Sequence, residues 1–230
     1  MHPVPVDAGN HSPYNSQVKE NIIISLVGVN SPHETDCGRL YRHLKNEGYT
    51  VKVLTSNPGL FDSEDVHTYP KGVFVYLDKI LFSLDLIKKY NRDVLYLDAD
   101  KFYSREQIDD YIERSKDYPV TYAGNWPEGD FGNYKELNPC FKYLKEYCEY
   151  VGMEYKNWKT IWEYVLFFGK DIDYNRVRLE LEVLTPVFTY MSLMNKDTYN
   201  KTPFALGGAE GLALSIVLDK LEIGSKIVDI

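Results

Sequence analysis

"DVLYLDADKF", residues 93–102, decides how this chain reads. The apolar run Val94, Leu95, Tyr96, Leu97 stops at Asp98, and a second carboxylate follows at Asp100. A short continuous apolar run fits a strand buried on both faces. In extended backbone, residues i and i+2 point the same way, so both carboxylates can face one site. Ligands of open α/β sheets bind at the carboxyl ends of strands. Two hard oxygen ligands with open positions suit Mg²⁺ or Mn²⁺ carrying a phosphate. The triplet alone is a weak signal, since on the order of one is expected by chance in a chain of this size. A second triplet, Asp171-Ile172-Asp173, follows "FFGK" and reads as a solvated turn. Placement therefore separates the two.

Working upstream, "NIIISLVGV" (21–29) is another buried strand. The helix after it has Ser31 as cap, Pro32 at its first position and Glu34 completing a capping box. Cys37, Leu40, Tyr41 and Leu44 form its apolar face, and Gly48 ends it. "YTVKVLTSN" reads as the second strand and "GVFVY" (72–76) as a further short one. Leu77, Ile80, Leu81, Leu84 and Ile87 mark a helix ending near Tyr90. Strands alternating with helices predict a parallel sheet.

Downstream, Ser104 and Gln107 form a capping box that opens a helix with Ile108, Tyr111 and Ile112 inward. "PVTYAG" (119–124) is a strand, and "NPCFKYLKEYCEYVG" (138–152) a helix. "YNRVRLELEV" (174–183) alternates strictly, which predicts a half-solvated strand, and "VFTYMSLMN" (187–195) reads as another. "GGAEGLALSIVLDKLEIG" (207–224) is a loop entering a helix. The expected architecture is a Pro- and Asn-rich tail over 1–19 and one α/β domain over 20–230. Its 20–103 half is parallel, and its 104–230 half is mixed.

The chain has 230 residues, 44 % hydrophobic and 26 % charged, with a net charge of −8. That is an ordinary globular composition, and the acidic balance supplies no broad basic surface for nucleic acid. The three cysteines, Cys37, Cys140 and Cys148, are odd in number and form no CxxC pair, against a disulfide framework or a zinc site. No secretory signal pattern opens the sequence, and no apolar run approaches the ~18 residues of a membrane span. A cytoplasmic protein is the expectation.

"KILFSLDLIKKYNRDVLYLDADKF" (79–102) resembles the core of GT-A-fold, nucleotide-sugar-dependent glycosyltransferases, in which a helix with a basic residue precedes a strand ending in DxD. The resemblance covers most of the chain, but only the DxD region is specific. "FTYMSLMNKDTY" is similar to a strand that precedes a small-residue loop in that superfamily. "GGAEGLALSIVL" is similar to its acid-opened loop-to-helix element. The resemblance implies a three-layer α/β/α fold with a mixed, mostly parallel sheet. It implies transfer of a sugar from a nucleoside-diphosphate donor, UDP-linked, to an acceptor hydroxyl with Mn²⁺ or Mg²⁺.

Under that resemblance, Asp100 binds the metal and Asp98 contacts the ribose, or the metal through water. Lys79, Val29, Asn30, Thr55 and Ser56 lie near the donor. Glu210 is a general base or binds the transferred sugar. Gly207 and Gly208 allow close backbone approach to an acceptor, and Trp126 and Asp130, in "NWPEGDFGN", fall in a loop suited to binding one. One departure stands out. Many metal-dependent members place a histidine near the C-terminus, whereas His2, His11, His33, His43 and His67 all lie in the first third. An acid such as Asp229, or water, would take that place. The acceptor stays open between a glycan, a protein and a modified nucleic-acid base. Two rival readings remain: a haloacid-dehalogenase-type phosphatase using Asp98 and Asp100, and a non-catalytic nucleotide-sugar-binding module.

Overall fold

Among the described residues, seven strands form one sheet: β1 (Ile22–Gly28), β2 (Thr50–Thr55), β3 (Val66–Thr68), β4 (Asp93–Leu97), β5 (Val120–Tyr122), β6 (Val165–Phe168) and β7 (Ser225–Ile227). Among the described residues these α-helices accompany them: α1 (Glu34–Asn46), α2 (Asp78–Tyr90), α3 (Arg105–Ser115), α4 (Tyr174–Met194) and α5 (Ala209–Lys220). This is a computed structural model. It describes residues 21–29, 34–69, 77–125, 145–146, 148–156, 158–194 and 209–230.

The spatial order is β3-β2-β1-β4-β6-β5-β7. β1 pairs in parallel with β2 and β4, and β2 with β3. β6 runs antiparallel to both neighbours, β4 and β5, while β5 and β7 are parallel. One reversed strand thus interrupts an otherwise parallel sheet. The chain leaves β1 toward β2 on one side and returns to β4 on the other, so strand order reverses at β1/β4. In open α/β sheets that switch point carries the ligand crevice.

Alternation along the strands sorts the core into two layers. Ile22, Ile24, Leu26, Leu95, Leu97, Val165 and Phe167 pack with Leu40 and Leu44 of α1 and with Ile108, Tyr111 and Ile112 of α3. Ile23, Val94, Tyr96, Leu166 and Phe168 pack with Ile80 and Leu84 of α2, Val177 and Leu181 of α4, and Leu214 and Val217 of α5. Helices therefore cover both faces, which is why β1, β4 and β6 read as continuous apolar runs. No helix among the described residues is long and apolar enough to cross a membrane.

Some local punctuation is seen where the sequence predicts it, while the expected cap Ser31 and Pro32 of the first helix lie outside the described residues. Ser104 accepts from the Gln107 amide at 3.3 Å, and the Ser104 amide donates to Gln107 Oε1 at 3.0 Å, completing the capping box of α3. Gly48 takes φ +83° after α1, a left-handed conformation that favours glycine. Asp171 is exposed in a turn, and the Asp173 carboxylate accepts from the Arg176 amide at 3.1 Å as α4 begins.

Two expectations are corrected. Residues 174–183 and 187–194 are not strands but one helix, α4, running through Pro186. Val177, Leu181 and Leu184 are buried at helical spacing, whereas Leu179 and Val183, which strand alternation would place with them, are exposed. The segment likened to a strand before an acceptor loop is thus helical as far as Met194. β3, β6 and β7 have no counterpart in the sequence reading. The expected strand 72–76 and the tail 1–19 lie outside the described residues. So does most of the helix expected over 138–152, of which residues 145–146 and 148–150 are helical.

Candidate functional site

Four chain segments meet at the carboxyl end of β4. The first is the turn after β4. Asp98 leaves the strand with its amide donating to the Tyr164 carbonyl at 2.9 Å, and the Lys101 amide closes the turn onto the Asp98 carbonyl at 3.3 Å. Tyr96, two residues back on the same face, donates its hydroxyl to Asp98 Oδ1 at 3.0 Å. Asp98 is half-buried, whereas Asp100 is exposed. The strand thus delivers one carboxylate that is held and one that faces solvent.

The second and third segments are helix N-termini. Lys79 is in the first turn of α2, and Glu210 in the first turn of α5. Their side chains form an ion pair, Lys79 Nζ to Glu210 Oε1 at 2.9 Å, with exposures of only 6 % and 1 %. Lys79 Nζ also lies 5.5 Å from the Tyr96 ring centroid. The fourth segment leads into β6 and carries the buried Glu163. A Cβ on Gly211 would overlap the Ile161 carbonyl oxygen and come within 3.1 Å of a Glu163 carboxylate oxygen. Only glycine lets α5 approach this closely.

The charges are unevenly matched. Burial alone would lower the proton affinity of the Lys79 ammonium, but Glu210, Glu163 and Asp98 outweigh it and hold Lys79 above the ordinary lysine range. Burial pushes the Asp98 carboxyl above the usual aspartate range, with Asp100 and Glu210 adding to the rise. Lys79 and the Tyr96 hydroxyl pull it the other way without cancelling it. Burial, then Asp98, likewise raises the Tyr96 phenol well above its usual value. Glu210 Oε2 is buried and has no hydrogen-bond partner among the described residues. Buried polar atoms are nearly always paired, so an orphaned carboxylate oxygen calls for an explanation.

A raised aspartate binds its proton more tightly folded than unfolded. Between the unfolded and folded values the native state therefore holds more protons, and stability falls as pH rises. Asp98→Asn should be more stable than wild type at pH 7, with the gain shrinking as the pH falls through the raised folded value and gone once it is below the ordinary aspartate range. Urea denaturation across a pH series measures this. A loss of stability at every pH would show that the Asp98 charge is held by favourable contacts.

The other expected donor residues are placed differently. Val29 follows β1 and is buried in the core. Thr55 ends β2, buried, with Oγ1 accepting from the Asn57 amide at 3.0 Å. Ser56 donates to Glu34 Oε1 at 2.8 Å, tying β2 to the first turn of α1. Asn30, Trp126, Asp130, Gly207 and Gly208 lie outside the described residues. Asp98, Lys79 and Glu210 are thus brought together, while Thr55 and Ser56 serve the turn after β2.

Tyr96, Glu163 and Phe102 were missed in the sequence reading. Tyr96 carried a signal: a hydroxyl inside an apolar strand, two residues before an acid. Phe102 is 74 % exposed directly after the acid pair, its ring 4.9 Å from that of His43. Among the described residues, no three or more His, Cys, Asp or Glu side chains gather as a metal site. Asp98 and Asp100 would supply two oxygen ligands, which suits a Mg²⁺-type ion completed by phosphate and water. No protein-family model and no curated protein matches this sequence.

Proposed function

We propose that this chain is a glycosyltransferase that moves a sugar from a nucleoside-diphosphate donor, UDP-linked, to an acceptor hydroxyl. The observation that carries this reading is the acid pair at the end of β4, beside the switch point, with the Lys79–Glu210 pair buried behind it. Asp100 and Asp98 would hold Mn²⁺ or Mg²⁺ on the donor diphosphate. The metal would supply Lewis-acid stabilisation of the departing nucleoside diphosphate. Tyr96 fixes Asp98 by its hydroxyl, so that carboxylate is oriented before any ligand arrives. Lys79 holds Glu210 Oε1, and Oε2, unpartnered but enclosed, would meet a substrate hydroxyl only after the residues covering it move aside. Glu210 then acts as general base on the acceptor or as an anchor for the transferred sugar. The resemblance of residues 79–102 to GT-A enzymes supports the same reading.

The test is thermal-shift titration with UDP, GDP and their sugars, with and without Mn²⁺, on wild type and Asp100→Ala. A ligand at 100 times its dissociation constant adds about 2.7 kcal/mol of stability. The expected result is a metal-dependent rise in Tm that Asp100→Ala abolishes. No shift with any nucleotide at millimolar concentration would sink the reading and the nucleotide-sugar-binding module with it, and move weight to the phosphatase.

A further inference from the structure

A second concave site lies along α5, away from the acid pair. It is a cleft of about 410 Å³ whose lining includes Tyr122, Trp158, Lys159, Asp219, Glu222 and Ser225. That volume is in the range of small-molecule sites. Asp219 is nine residues beyond Glu210, about 13 Å along a helix at 1.5 Å per residue. The segment ending at Ile161 stands between the two sites, with its carbonyl against Gly211. Ser215 Oγ donates to the Lys159 carbonyl at 2.5 Å and ties that segment to α5.

The cleft wall is built rather than incidental. Asp219 Oδ2 accepts from Trp158 Nε1 at 3.2 Å and from Lys156 Nζ at 2.7 Å, which fixes the indole. The Tyr155 ring meets the indole edge-on at 5.7 Å. At the other end, the backbone of Glu222 is in the left-handed region, φ 55°. Its amide donates to the Asp219 carbonyl at 3.1 Å and the Ile223 amide to Leu218 at 2.9 Å, the usual close of a helix. Glycine is the residue that fits such a position. The only other non-glycine residue with positive φ among those described is Asn91, a type that tolerates it. A carboxylate just past a helix C-terminus also opposes the helix dipole. Glu222 is thus unfavourable for the fold on two counts, and it lines the cleft.

We propose that this cleft binds a neutral saccharide. The lining holds Asp219, Glu222 and Lys159, and Asp219 is already paired with Lys156 just outside it, so the cleft offers no strong net charge to a cation or an anion. What remains is aromatic surface at Trp158 and Tyr122, suited to the C–H face of a sugar ring, beside carboxylates that accept hydroxyl hydrogen bonds. The strained Glu222 is the specificity contact. The proposal rests on residues that the donor site does not use, so it stands or falls separately.

The test is titration of the ¹⁵N-labelled full chain with neutral oligosaccharides built on glucose, galactose or mannose at millimolar concentration. The expected result is a set of shifts confined to the Trp158 indole and the amides of residues 218–225. Trp158→Ala should abolish them. Glu222→Gly should raise the Tm and weaken binding by about tenfold or more, a combination that misfolding cannot produce. No shifts, shifts only around Asp98, or binding of oligolysine instead of sugars would overturn the proposal. So would unchanged sugar affinity in Glu222→Gly.

Discussion

Lys79→Met lowers the unfolding free energy by about 3–5 kcal/mol, the cost of leaving a buried charge without its partner. Both members of the Lys79–Glu210 pair are almost wholly enclosed, so solvent screens little of the loss. Glu163 and Asp98 act on the same ammonium, and its removal leaves several carboxylates facing one another without a cation. The deficit should narrow as pH falls, because protonation of those carboxylates removes the uncompensated charge. Lys79→Met combined with Glu210→Gln should recover a large part of it. Urea denaturation of the wild type and the two variants provides the measurement. A single-variant cost under about 1 kcal/mol, the level of an exposed pair, would mean that water reaches the pair and that the site is not closed.

Gly211→Ala is the second large effect, at about 3 kcal/mol, the upper part of the range for overpacking. The new methyl overlaps the Ile161 carbonyl oxygen, which is backbone and cannot rotate away. Ile161 is pinned by a bridge to Asn125, and the next residue's amide donates to the Gly124 carbonyl at 2.8 Å. Relief must come from α5, which carries Glu210 with it. On the proposed function, affinity for the sugar donor should therefore fall along with stability. Gly38→Ala in α1 is the matched control, since there the added methyl meets only Arg42 at 3.7 Å. That change should be neutral or stabilising by up to about 1 kcal/mol. Equal behaviour of the two variants in denaturation would refute the close-approach argument.

In the first half of the sheet β1, β2 and β4 were legible because their apolar residues are buried, whereas β3, three residues with none buried, was not. β4 and the capping box at Ser104 fall where the sequence places them. α4 was misread because two periods coincide in it. Val177, Leu181 and Leu184 satisfy the helical repeat, while Val177, Leu179, Leu181 and Val183 satisfy the strand repeat. Composition held the discriminating signal, because Arg, Leu and Glu, which dominate the segment, are strong helix formers. Arg178 and Glu182 meet at 2.7 Å across one helical turn. β6 is four residues, Val165 to Phe168, too few for periodicity to register, and β7 is an exposed edge with no apolar pattern. At the site, the acid pair was readable from its position after a strand. The Lys79–Glu210 contact was not, because it joins residues remote in sequence through the packing of two helices.

The reversed strand also sets an order on how the molecule is made. Residues 22–97 contain β1, β2, β3 and β4, so the parallel half of the sheet is available early in synthesis. The far edge of β4 then has no partner until residues 165–168 emerge, because β6 alone pairs there. β5 is made sooner, yet it reaches the sheet only through β6. During that interval a nascent chain presents the bare apolar edge of "VLYL", the kind of unpaired strand that seeds aggregation and draws chaperones. The strand that ends in the two acids is therefore also one whose apolar edge the growing polypeptide leaves bare until β6 is made.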